Sequence, residues 1–408
     1  MSNMYSCNPD DVKAIIHAQL QLIQSDPAQA QALAPLMLWG APGVGKSTIV
    51  REICQQHGIQ FIDIRLAQRE PVDLRGLPVP NGDHVDWLLA GEWPRDPNSR
   101  GIILFDELSA ADRTLQAAAY EIILDRRLGD LYSLPPGWLV MGAGNGMDDR
   151  AVSYSFSSAL ANRFCHLELQ PNAEQWCLWA REQGLHSAVI AFLKYAPQHF
   201  FMLDENSERG WPSPRSWERV ARLLSSSTGL NRHQLRIMVN GLIGPAAAVP
   251  FFGFWELEDE LPNVNDMLLG KIPVSVPKRS DATYLFCAAI TEQLWRGDKS
   301  QRAQRLNVFF EISLRLNSDF ATMLMLDAMR DTSRNAAIAN RNASLFGETM
   351  GNTDTIHPQR SAWLIEHPAY EQWTAKHGQS FANALAQGDL MPTANASNNA
   401  SNNAEAAL

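Results

Sequence analysis

Residues 40–48 read Gly-Ala-Pro-Gly-Val-Gly-Lys-Ser-Thr, a complete GxxxxGK[ST] run between a short apolar strand, 35–39, and a helical stretch that Gly58 ends. Glycines at these positions let the backbone turn tightly, so that N–H groups face phosphate oxygens and the following helix adds its positive N-terminal end. The expected nucleotide-binding residues are therefore Gly40, Ala41, Pro42, Gly43, Val44, Gly45, Lys46, Ser47 and Thr48. Lys46 is expected on the β- and γ-phosphates, and the Ser47 hydroxyl on Mg²⁺.

A second cluster closes the apolar run 102–105 with two acids, Asp106 and Glu107. In a phosphate-loop site one carboxylate holds the metal and its neighbour polarises the attacking water, which makes Asp106 the metal-side residue and Glu107 the base. In isolation the same pair reads equally well as acids opening a solvated loop. Three further positions draw their weight from context. Asn145 follows the apolar run 138–143 and Gly144, where an amide can hydrogen-bond the lytic water or the γ-phosphate; alone it would be a turn asparagine. Arg163, in Ala-Asn-Arg-Phe, precedes a strand; its guanidinium is either an arginine finger for a neighbouring subunit or half of a surface salt bridge. Arg215 begins a helix, where a cation opposes the helix dipole and needs another partner; a γ-phosphate is one.

The elements that must carry these residues alternate. An initial helix over 1–34, capped by Asp10, precedes the strand 35–39. A strand at 59–64, a loop-like stretch 69–100 with a turn at Asn81-Gly82, a strand at 102–105 and a helix at 114–124 follow. Runs 128–134 and 138–143 are expected to pair as a hairpin around Pro135-Pro136-Gly137. Strands alternating with helices over 35–170 indicate an α/β domain with a largely parallel sheet. After Pro171 helical periodicity dominates, as in 215–224 and in 306–329. The expected organisation is an N-terminal helix (1–34), an α/β core (35–170), a helical domain and extension (171–340), a small helical segment (341–390) and a disordered Asn/Ala/Ser-rich tail (391–408).

The chain has 408 residues, 34 Lys+Arg against 44 Asp+Glu, and a formal net charge of −10. Two or three domains with an ample core fit that length. The acidic balance argues against broad binding to nucleic acid or to anionic membrane. Five cysteines without CxxC spacing argue against a disulfide framework. Cys165, His166 and Cys177 hint at a metal, but neighbours on a strand face opposite ways. The opening residues lack a charged n-region and an apolar h-region, and the longest uncharged stretch, 241–255, contains Pro245 and Pro250. The expectation is a cytoplasmic protein without a membrane span.

Taken in order, these motifs resemble those of the AAA+ ATPases, and within them the MoxR and dynein-related branch, over about residues 35–225. GAPGVGKS is similar to Walker A, ILFDE to Walker B, Asn145 to sensor 1, Arg163 to the arginine finger, and Arg215, within SPRSW, to sensor 2. Residues 69–78 resemble the segment before this branch's helix-2 insert, and 128–137 its presensor-1 hairpin. The resemblance implies a P-loop NTPase core, a parallel sheet with flanking helices, followed by an all-α lid domain and a helical extension. It further implies ATP and Mg²⁺ as ligands, and an ATPase whose activity depends on a homo-oligomer, commonly a hexameric ring. It also implies a chaperone-like assembly or remodelling role on a protein client, and a partner bearing a von Willebrand factor type A domain. Arg126 and Arg150 join Arg163 as arginines able to reach across a subunit boundary.

Other classes compete. Asp73-Leu74-Arg75-Gly76 matches the DxxG of GTPases, but the chain contains no Asn-Lys pair with which that class reads guanine. An AAA+ nucleic-acid motor shares the core, against the acidic charge and the lack of a basic segment. An ATP-gated binding adaptor with little turnover stands against the intact Asp106-Glu107 pair.

Overall fold

The computed structural model describes residues 6–146, 161–203, 209–226, 229–295, 299–329 and 358–385. The chain divides into two units, Met1–Gln175 and Trp176–Leu408. In chain order the first runs β1 (Ser6–Cys7), α1 (Pro9–Ser25), β2 (Leu36–Trp39), α2 (Lys46–His57), β3 (Gln60–Arg65), α3 (Pro71–Arg75), β4 (Leu77–Asn81) and β5 (His84–Leu88). It continues with β6 (Gly101–Asp106), α4 (Arg113–Leu124), β7 (Arg127–Leu128), β8 (Tyr132–Ser133), β9 (Trp138–Gly144) and β10 (Cys165–Leu169).

Six strands form one parallel sheet in the order β1-β10-β2-β9-β6-β3. β9 is buried throughout and β6 up to Asp106, and both are apolar along almost their whole length, as central parallel strands covered on both faces must be. Register aligns the carboxyl ends: Trp39 pairs with Gly144, Phe105 with Gly142, and Arg65 with Asp106. Loops leaving those ends carry ligand sites in open α/β sheets.

Three local expectations change. The leading segment is not helix throughout. β1 pairs with β10 at Ser6–Glu168 and Cys7–Leu169, and α1 is capped by Asn8 rather than Asp10. The Asn8 side chain accepts from the backbone of Asp10 and Asp11, and Asp11 accepts in return from the Asn8 N–H, a reciprocal box two residues upstream of the expected start. Residues 138–143 do not pair with 128–134. β7 closes on β8 around Gly129, at φ 53°, while β9 enters the central sheet, where its unbroken apolar run is buried on both faces. The stretch 69–100 contains α3 and an exposed antiparallel hairpin, β4 and β5, turning at Gly82 as expected.

The second unit is helical: α5 (Ala173–Glu182), α6 (Ser187–Tyr195), α7 (Pro214–Ser225), α8 (Arg232–Glu256), α9 (Val264–Leu268), α10 (Ser280–Leu294), α11 (Arg302–Arg315), α12 (Ser318–Met329), α13 (Pro358–Ile365) and α14 (Tyr370–Ala384). One core gathers Phe286, Phe309, Phe310, Leu324 and Trp373 from α10, α11, α12 and α14. The periodic run 306–329 is two helices, because the chain turns extended at Leu316 and the Asn317 side chain accepts from Phe320 N–H to open α12. Inside this unit Asp327 is buried between Arg181 at 2.7 Å and Lys194 at 2.9 Å. α8 is long and apolar enough, by length and composition only, to cross a membrane; Gly244, at φ 70°, and Pro245 kink it. The tail 391–408 lies outside the described residues. A P-loop-type parallel sheet with flanking helices, followed by a mostly helical region, is the architecture.

Candidate functional site: a phosphate cradle at the sheet's carboxyl edge

β2 ends at Trp39 and the chain turns through residues 40–45 into α2. Gly45 sits at the N-cap of α2 with φ 104°, so no side chain caps the helix, whose N-terminus is suited to an anion. Gly40 is confined on a second ground: at φ 152°, a Cβ there would lie 2.8 Å from the Leu169 carbonyl of β10. Lys46, the first residue of α2, is buried. Its ammonium donates to the carbonyls of Gly40 at 2.6 Å and Ala41 at 3.2 Å, and to Asn145 Oδ1 at 3.0 Å. Ser47 is half-buried beside it, whereas Thr48 is exposed.

On the next strand but one, Asp106 closes β6 and its Oδ1 accepts from the Glu107 N–H at 2.9 Å. Glu107 takes φ 58°, a left-handed conformation rare for a residue with a Cβ. On its far side, Leu108 N–H returns to the Ala143 carbonyl at 2.9 Å. The strained conformation sits at the proposed base.

Two residues of this neighbourhood were not read from the sequence. Ser109 is fully buried; its hydroxyl accepts from the Asn145 N–H at 3.1 Å and donates to the Asn145 carbonyl at 3.3 Å, holding the amide in place. The only sequence signal was a small hydroxyl shortly after Asp106-Glu107. Asp63, on β3, is in register with Leu104, two residues before Asp106. Burial first, and then the charge of Asp106, push its carboxyl above the usual range, with Arg65 and Arg51 opposing. Its apolar-polar strand gave no reason to single it out.

The arginines separate. Arg163 is exposed in the turn before β10, and among the described residues it makes no ion pair. Phe164 beside it is buried in the core. Arg126 turns inward, in its own chain: its guanidinium donates to the carbonyls of Pro135 at 3.0 Å and Trp138 at 2.7 Å, and burial lowers its pKa to about 10. It is thereby removed as a residue reaching a neighbour. Arg150 lies outside the described residues. Arg215 is exposed at the second position of α7, in the helical unit, where Ser213 and Ser216 form a capping box.

The donor set suits a nucleoside triphosphate with a hard divalent cation: the N–H groups at a helix start, one ammonium, one hydroxyl and one carboxylate oxygen. Among the described residues no three His, Cys, Asp or Glu side chains gather as a metal cage. Cys165 is exposed, while Cys177, at 3.8 Å from the Ile190 carbonyl, is buried in the helical unit.

Solved structures resemble the chain at low identity. A point mutant of RuvB from Thermotoga maritima is 16% identical over 65% of this chain and 76% of its own, with a TM-score of 0.35. An ATPase, so described, from Cytophaga hutchinsonii is 15% identical over 94% of this chain and 96% of its own, at a TM-score of 0.29. NtrX from Brucella abortus, solved with ADP, is 18% identical over 81% and 66%, at 0.26. Residues 36–148, the stretch from β2 through Asn145, match the model of the ATPase family associated with various cellular activities (AAA).

Proposed function

We propose that the protein is an ATP-hydrolysing, MoxR-like AAA+ ring ATPase that assembles or remodels a protein partner. The observation that carries the hydrolytic part is the arrangement of Lys46, Asn145, Asp106 and Glu107 around one sheet edge. Lys46 would exchange its carbonyl contacts for the β- and γ-phosphates, and the N–H groups at the start of α2 would hold the remaining phosphate oxygens. Ser47 and Asp106 would hold Mg²⁺, which when bound neutralises charge between the β- and γ-phosphates. Glu107 would accept a proton from the water attacking γ-phosphorus, the bond to the bridging oxygen would break, and ADP and phosphate would leave. Asn145 would orient that water or the γ-phosphate.

Arg163 would complete the site of an adjacent subunit, and Arg215 would report γ-phosphate to the helical region acting as a lid. The ring, commonly hexameric, and a partner bearing a von Willebrand factor type A domain rest on the motif resemblance. The net charge of −10 favours a protein client over a nucleic acid.

The test is Glu107→Gln. It should retain ATP in equilibrium binding and lose turnover by about a hundredfold or more. Turnover at the wild-type rate would remove Glu107 as the base.

A further inference from the structure

Trp39 is the last residue of β2, the strand that delivers the phosphate loop. Its indole Nε1–H lies 2.8 Å from Nδ1 of His166 on the adjacent strand β10. The other ring nitrogen of His166, Nε2, lies 2.7 Å from the Ala161 carbonyl. An indole N–H can only donate and a carbonyl can only accept, so Nδ1 accepts and Nε2 carries the proton: the ring is neutral and its tautomer is set. The two rings are also nearly coplanar, with an interplanar angle of 16°, as an in-plane N–H···N bond requires.

Ala161 opens the turn that presents Arg163. That turn is held at three points. His166 holds the Ala161 carbonyl, Phe164 is buried in the core, and Cys165 N–H donates to the Pro35 carbonyl at 2.9 Å. Between these anchors the Arg163 side chain is left to solvent. A long, flexible guanidinium stabilises a transition state only if its backbone root is fixed, since misplacement of about 1 Å can reduce a rate by about a hundredfold.

We propose that His166 is a positioning residue that ties the end of the phosphate-loop strand to the turn carrying Arg163, so that one subunit's nucleotide-bearing strand sets the finger it offers to the next. This rests on the reading of Arg163 as a finger acting in trans. The bond to Ala161 holds the turn, and the bond from Trp39 keeps the ring in the tautomer that makes it.

Mixed assemblies test this in the full-length protein. Glu107→Gln subunits offer an intact finger without an active base; Arg163→Ala subunits offer an intact site without a finger. Combined, they should regain part of the wild-type turnover. His166→Ala added to the Glu107→Gln subunit should cut that recovered rate by about tenfold. The same change added to the Arg163→Ala subunit should leave the rate within about twofold. His166→Gln on the finger-giving subunit keeps an N–H donor toward Ala161 and should restore most of the loss. His166→Asn places its amide too near the backbone to reach that carbonyl and should not.

Equal losses from either placement would overturn the proposal, because a merely structural role damages both subunits alike. So would an unchanged rate when His166→Ala is in the finger-giving subunit, and in that case the finger reading stands. No recovery in the parent mixture, with mixed assemblies verified, would overturn the finger reading and the proposal together.

Discussion

The Lys46 ammonium and the Asn145 side-chain oxygen are 3.0 Å apart, joining the first residue of α2 to the residue that follows β9. Asn145 is held from behind by the buried Ser109 hydroxyl, so the lysine meets a neutral acceptor in a fixed place. A neutral amide oxygen orients the ammonium without the added strength of a charged pair. Asn145→Asp would make the contact a charged pair, roughly twice as strong. The Kd for ATP should then rise by about tenfold, equivalent to about 1.4 kcal/mol. Equilibrium nucleotide binding checks this; unchanged affinity would mean that Lys46 does not leave Asn145 for the nucleotide.

Asp63→Asn should stabilise the first unit. The folded carboxyl is held above its usual range, so the fold disfavours its charged form. Stability is therefore lost as pH rises from about 3.9, the ordinary carboxylate value, through the folded value. At pH 7 the amide should raise the melting temperature by about 1–3 °C, and the gain should shrink as pH falls toward 4. Arg51, 3.5 Å away and half-exposed, loses little with its partner. A lower melting temperature at pH 7 would contradict the assignment.

His17 on α1 and His57 at the end of α2 share one hydrogen bond, Nδ1 to Nε2, at 2.9 Å. Burial lowers the pKa of His17, so the folded state prefers its neutral ring. That stability is present above the ordinary imidazole value of about 6.5 and is lost as pH falls through it, when the unfolded chain takes up the proton. Urea midpoints at pH 7.5 and 5.5 should differ more in the wild type than in His17→Gln. Identical differences would exclude this pair as a source of acid sensitivity.

Asp327→Ala should destabilise the helical unit by about 3–5 kcal/mol, because Arg181 and Lys194 would lose their shared buried counter-charge. Thermal unfolding reads the loss. A change below about 1 kcal/mol would mean that water reaches both cations.

What could be read in advance was what depends on neighbouring residues. A phosphate loop needs its glycines at fixed offsets, and β6 announces itself by an apolar run ending in two acids. The hairpin turn at Gly82 was legible for the same reason. β1 was not, since two residues with no periodicity become a strand only by meeting Glu168 and Leu169, some 160 positions away. β9 was given the wrong partner because its apolar run fits either a hairpin or a buried strand, and only burial on both faces decides. Ser109 and Asp63 matter through residues far along the chain, so spacing gave at most a small hydroxyl after Asp106-Glu107 for the first and nothing for the second. The break at Asn317 was readable, as an Asn-Ser-Asp start to a helix, and was hidden by the continuous apolar period around it.

The left-handed backbone at Glu107 has a consequence for anyone evolving this protein in the laboratory. Holding a side-chain-bearing residue in that conformation costs about 1–2 kcal/mol, and glycine would release it. A library screened for heat resistance alone should therefore enrich glycine at position 107 and deliver variants that are hardier and inert. Counter-screening on phosphate release in each round would keep the carboxylate.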